Sequence, residues 1–116
     1  MNVEFIRQTC LSLPGATESV KWGNNLVFSV GTKMFCLLDL DPPFRCSFKV
    51  SDEDFEALCE REGFSAAPHL ARAEWVMVSD IALVGKTEWQ QRLLTSYELV
   101  RAKLSKKERE SLGLSL

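Results

Sequence analysis

The sequence predicts an α+β domain in which one antiparallel sheet of about five strands carries its helices on one face. Four β-rich segments, "SVKW" (19–22), "LVFSV" (26–30), "KMFCLLDL" (33–40) and "FRCSFKV" (44–50), lie only two or three residues apart. A parallel crossover needs about a dozen residues or more, so these strands must form hairpins. Apolar residues at helical spacing precede and follow this run instead of alternating with it, which segregates helices from strands. At 116 residues the chain suits a single domain, 1–116, since domains run to roughly 100–150 residues.

The elements follow in order. Val3, Ile6, Cys10 and Leu13 share one face of a first helix, with Asn2 placed to cap it and "LPG" (13–15) to end it. Gly23-Asn24, Gly31-Thr32 and Asp41-Pro42-Pro43 punctuate the four strands. Ser51 with Asp54 signals the start of a second helix, whose stripe is Phe55, Leu58 and Cys59 and which should end near Gly63. "FSAAPHLARA" reads as a loop and "EWVMV" (74–78) as a fifth strand. Thr87 with Gln90 suggests a capping box for a long helix carrying Trp89, Leu93, Leu94, Tyr97, Val100 and Leu104 on one face. Ser105 with Glu108 caps a last short helix before Gly113. The predicted order is α-β-β-β-β-α-β-α-α.

Strand parity separates the two faces of the sheet. Phe44, Cys46, Phe48 and Val50 point one way from the fourth strand, and Arg45, Ser47 and Lys49 the other. In the third strand Met34, Cys36 and Leu38 oppose Lys33, Phe35, Leu37 and Asp39. Both cysteines therefore belong to the buried face, while Lys33, Phe35, Arg45 and Lys49, with Lys21 from the first strand, belong to the outer one. If Cys36 pairs with Cys46, Lys33 stands opposite Lys49.

Composition removes several function classes. The start of the chain lacks the basic region and unbroken apolar run of a signal peptide, and no apolar stretch approaches the roughly 20 residues that cross a bilayer. A cytoplasmic protein without membrane contact is expected. Cys10, Cys36, Cys46 and Cys59 form no C-x-x-C pair and the chain has one histidine, His69. That is poor zinc arithmetic and favours buried reduced thiols over two disulfides. "VGTKMF" joins two strands and opens no helix, so it is no phosphate loop. With no nucleophile, base and orienting group that can be named together, no enzymatic activity and no cofactor are expected.

Charge is uneven. The net charge is −2, yet "SDEDFEALCERE" (51–62) is strongly acidic and "RAKLSKKERE" (101–110) strongly basic. The acids of the second helix complement its dipole, with weak metal binding as the alternative. Lysines opposed across a sheet repel unless an anion relieves them, and a phosphate backbone would do so; solubilising edge protection is the competing explanation. Trp75 and Trp89 read as core residues, Tyr97 as a core tyrosine with a tethered hydroxyl, and Trp22, beside Gly23-Asn24-Asn25, as the tryptophan best placed to meet a partner.

"LSLPGATES" (11–19), "KWGNNLVFSVGTKMFCLL" (21–38), "FKV" (48–50), "EWVMV" (74–78) and "TSYELVRAKLSKKER" (95–109) resemble the MmcQ/YjbR family of small bacterial proteins. The resemblance spans nearly the whole chain. It implies a CyaY-like fold and a DNA-binding label attached to a proposed double-wing arrangement of hairpins. By position Gly31, Lys33, Met34 and Phe35 match the hairpin motif, Lys49 the lysine ending the fourth strand, Trp75 the late tryptophan, and Ser96 and Tyr97 the helical pair.

The expected function is therefore weak, salt-dependent nucleic-acid binding through Lys21, Lys33, Phe35, Arg45 and Lys49, assisted by Arg101, Lys103, Lys106 and Lys107. The alternative is a protein-interaction or small-ligand module built on Phe35 and Leu37, with Trp22 at its edge.

Overall fold

Asn2 accepts a hydrogen bond from Phe5 N at 2.8 Å and starts α1 (Val3–Leu11), which buries Ile6 and Cys10 on its inner face. This is the first element of a computed structural model that describes residues 1–114. Four strands follow: β1 (Ala16–Lys21), β2 (Asn25–Val30), β3 (Lys33–Asp39) and β4 (Cys46–Lys49). Ser51 caps α2 (Asp52–Cys59) by accepting from Asp54 N, as its sequence signal predicts. After β5 (Phe64–Ala66) and β6 (Trp75–Val78) come α3 (Lys86–Arg101) and α4 (Lys106–Ser111). Ser105 caps α4 through Glu108 N. Gly85 opens α3 without any side-chain cap, so the Thr87 capping box does not form.

The strands make one six-stranded sheet in the order β1-β2-β3-β4-β6-β5, antiparallel at every pairing. The fold class is thus the expected α+β arrangement with one strand more. That strand, β5, lies in a segment whose Ala-Pro-His composition reads as loop, and it forms because β6 offers it an open edge.

The core lies between one face of the sheet and α1 and α3. Phe28, Leu38, Phe48 and Val76 from the strands meet Ile6, Trp89, Leu93 and Tyr97 from the helices. Phe48 packs edge-on against Trp89 with ring centroids 5.6 Å apart, a favoured aromatic geometry. The Trp89 indole N–H donates to Ile81 O at 2.9 Å and the Tyr97 hydroxyl to Pro14 O at 2.5 Å, so neither polar tip is buried unpaired. Leu94, expected on the same stripe, is exposed; it lies one residue round the helix from Leu93, beyond the sheet's reach. All four cysteines are free thiols. Cys36 and Cys46 reach across adjacent strands to a sulfur separation of 3.5 Å, and burial pushes the Cys46 thiol well above its ordinary range.

Two features depart from simple strand parity. First, β2 and β3 lose register between Phe28 and Ser29: Cys36 faces Phe28, Met34 faces Ser29, and Phe35 has no partner. This is a bulge, which inserts one residue and turns its side chain. Phe35 consequently joins Cys36 on the core side, fully buried, with its ring edge-on to Tyr97 at 5.5 Å. It is not the outer-face contact residue that alternation predicts. Second, β3 and β4 pair Cys36 with Phe48 and Leu38 with Cys46, two residues from the register that would oppose Lys33 and Lys49.

The outer sheet face is also less open than expected. Residues 67–73 fold back over it, held by Ala67 N donating to Trp75 O at 2.9 Å, and Ala67 and Trp75 are both buried. A depression between this segment and the sheet is lined by Leu37, Ser47, Leu70 and Met77.

Placing Phe35 in the core has a measurable consequence. Phe35→Ala should lower stability in urea by about 3–5 kcal/mol, as expected of a buried phenylalanine. An effect within about 0.5 kcal/mol, the range of an ordinary surface change, would return Phe35 to the outer face.

Candidate functional site

The β3–β4 ladder stops at the Cys36–Phe48 pair, and a side chain from α3 takes over where it stops. Ser96 is wholly buried; its hydroxyl donates to Phe35 O at 2.6 Å and accepts from Lys49 N at 2.9 Å. One hydroxyl thereby satisfies the carbonyl of the bulge residue and the last amide of β4, groups that would be costly to bury unpaired. The start of β3 and the end of β4 are held as the two sides of a cleft.

This cleft, of about 330 Å³, is lined by Lys33 and Met34 of β3, Lys49 of β4, residues 72–75, and Val100 and Lys103 of α3 and the turn after it. Its floor is apolar, because Met34, Trp75 and Val100 are half-buried or buried. Its rim is cationic. Lys33, Arg72 and Lys103 are exposed, and none of them forms an ion pair with the described residues.

Each rim residue has a local reason for its position. Lys33 follows the β2–β3 turn, where Gly31 adopts a φ of 60° and a Cβ would stand 2.7 Å from Glu108 Oε2. That carboxylate in turn accepts from Thr32 N at 2.8 Å, so α4 pins the turn that presents Lys33. Arg72 sits in a 3₁₀ turn, Ala71–Ala73, which ends at Glu74 in the left-handed region with φ 62° and ψ 49°. Lys49 is only 8% exposed, and its ammonium donates to Ala73 O at 2.5 Å, tying this turn to the sheet. Parity places Lys49 on the outer face, but the 67–73 segment covers it, so it acts mainly as a clamp beneath the rim. Glu74 is the one carboxylate lining the cleft; Asp52 beside it, with some desolvation, raises its pKa against the opposing pull of Lys49 and Lys103.

The other predicted contacts are dispersed. Lys21 and Trp22 occupy the β1–β2 tip, at the opposite end of β2 from Lys33. Their ammonium-to-ring distance is 6.0 Å, and Trp22 is 65% exposed with a φ of 50°. Arg45 shares the outer-face depression with Asp39. Arg101 lines a hollow with Glu98 and Arg109, whose guanidinium donates to Leu104 O at 2.8 Å. Lys106 and Lys107 are exposed on α4, and Lys106 approaches Glu110 at 4.0 Å. Arg72 escapes sequence reasoning, because it falls in a segment without periodicity.

The acids of α2 are not gathered into a metal site. Asp54 pairs with Arg92 at 3.5 Å, and Asp52 lies by Glu74. Among the described residues no three histidine, cysteine or acidic side chains converge on one point. No helix among them is long and apolar enough to cross a membrane.

The model of the family described as YjbR matches residues 11–99. The chain belongs to the YjbR family. The match takes in Lys33, Lys49, Arg72 and Ser96, while Lys103 lies just beyond it. A crystal structure of a Deinococcus radiodurans protein with the family-model domain DUF419 is 32% identical, with a TM-score of 0.85 over 99% of this chain and 91% of that one. A Pseudomonas syringae protein of 22% identity shares the fold, with a TM-score of 0.70 over 86% of this chain and 99% of its own. No curated protein matches the chain. Within this YjbR domain, then, the cleft stands on a shared fold.

The Ser96 bridge can be tested directly. Ser96→Ala leaves Lys49 N and Phe35 O without that partner and should cost about 1–3 kcal/mol in urea unfolding. Ser65→Ala, at an exposed position on β5, should cost no more than about 0.5 kcal/mol.

Proposed function

We propose that the protein is a non-enzymatic, cytoplasmic nucleic-acid-binding domain whose contact surface is the cleft at the end of the sheet, and not the sheet face. One observation carries this reading: Lys33, Arg72 and Lys103, from three separate elements, surround one concavity without an ion-pair partner among the described residues. Several arginines elsewhere are matched by carboxylates, as in Arg7–Glu18 at 2.6 Å and Arg61–Glu88 at 2.6 Å. Unmatched cations that converge favour an anion, and phosphate oxygens are the acceptors that lysine and arginine most readily take. Four free cysteines support a reducing compartment.

A net charge of −2 means that binding depends on this local field, so affinity is modest. Three phosphate contacts on a single strand correspond to a slope of about −2 in log K against log salt. In fluorescence anisotropy with labelled single-stranded DNA at low salt, binding should follow that slope. It should be lost in Lys33→Glu with Arg72→Glu, strengthened in Glu74→Gln, and unchanged in Lys21→Glu. No binding at low salt, or binding indifferent to the double reversal, would refute the reading.

A second reading concerns the β1–β2 tip. Val20 is 60% exposed on the edge strand β1, and Trp22, in the turn after it, is 65% exposed in a backbone conformation that a bulky residue rarely takes. Such an edge suits a protein partner that adds a strand. If Trp22→Ala abolishes DNA binding while the cleft reversals do not, the contact lies at this tip.

A further inference from the structure

We infer that the cleft is built for a phosphate monoester, carried at a strand end or on a free nucleotide, rather than for the internal phosphodiesters of a long duplex; this rests on the nucleic-acid reading above. Three features of the cleft select that group.

The first is charge geometry. The cations of β3, the 3₁₀ turn and the turn after α3 line a single small cleft. Internal phosphodiesters carry one charge each and are spread along the backbone, whereas a monoester concentrates about −1.5 to −2 in one group at pH 7. Three donors around a dianion can each make a charge-assisted hydrogen bond to a different oxygen.

The second is the surroundings of the rim. Glu74 stands inside the cleft with Asp52 against it, at the acidic start of α2. Glu108 lies behind the Lys33 turn. A duplex laid across the rim would bring its neighbouring phosphates over these carboxylates. A terminal phosphate has no neighbours to lay over the outer acids and meets Glu74 alone inside the cleft.

The third is size and floor. About 330 Å³ is at the small end of ligand-binding cavities, which run from roughly 300 to 1,000 Å³. Met34, Trp75 and Val100 offer an apolar surface for one sugar or base below the charged rim. The Lys49 ammonium, fixed on Ala73 O, adds positive field from beneath and keeps Arg72 on the rim.

The test compares four probes on the full chain at low salt: a single-stranded oligonucleotide with a 5′-phosphate, the same strand with a 5′-hydroxyl, a nucleoside 5′-monophosphate, and inorganic phosphate. The phosphorylated strand should bind about tenfold or more tightly than its hydroxyl twin, a gap of about 1.4 kcal/mol. The nucleoside monophosphate should displace it. Arg72→Ser with Lys103→Ser, both exposed positions that should leave the fold intact by circular dichroism, should erase the gap. Equal salt-dependent binding of the two strands would overturn this inference and leave the nucleic-acid reading standing. Binding of the monophosphate and inorganic phosphate, with neither strand bound, would keep the monoester and discard nucleic acid. Silence from all four probes would remove both.

Discussion

A single buried hydroxyl governs the end of the sheet where the cationic residues meet. Ser96 holds the carbonyl of Phe35 and the amide of Lys49 at once, at the position where direct pairing between β3 and β4 has ended. Without it, the bulge would leave polar backbone unpaired beside an apolar core. With it, Phe35 turns inward onto Tyr97, while Lys33 continues outward along the lip of the cleft. The bulge thus sets Phe35 into the aromatic core beside the lip that carries Lys33. Lys49 repeats the device on the other face, where its side chain anchors the turn that carries Arg72.

The electrostatic character follows from this local architecture more than from composition. An acidic protein acquires a positive concavity by lining one cleft with cations from three elements, while several arginines elsewhere are paired with carboxylates. Arg61 and Arg92 both engage Glu88, whose pKa is held down by Arg61 first and by Arg92 as well. Glu74 tempers the positive field in the cleft, set between Asp52 and the opposing Lys49 and Lys103.

Much of this was legible in the residues. Helical spacing identified α1, the face of α3 and the caps at Asn2, Ser51 and Ser105, because those signals are local and physically direct. Short inter-strand gaps gave the hairpins, and parity placed Cys36 and Cys46 in the core. The bulge was not legible: the unbroken apolar run of residues 34–38 gives no sign of an inserted residue, which shows only in the pairing with β2. The expected opposition of Lys33 and Lys49 is lost separately, through the register of β3 against β4. Arg72 was hidden because its segment has no period, and it acquires its place only by folding back across the outer face. The sequence marks Lys33, Lys49 and Lys103 as basic contacts; that they share one cleft depends on contacts between residues distant along the chain, such as Lys49 Nζ with Ala73 O and Ser96 Oγ with Phe35 O.

The central claim is that the cations at the sheet end form one anion site, separate from the β1–β2 tip. Titrating isotope-labelled protein with a 5′-phosphorylated dinucleotide, followed by backbone amide chemical shifts, tests it residue by residue. The account predicts saturable shifts concentrated at Lys33, Lys49, residues 72–75 and Lys103. Shifts confined to Lys21, Trp22 and Arg45, or shifts spread evenly without saturation, would contradict it.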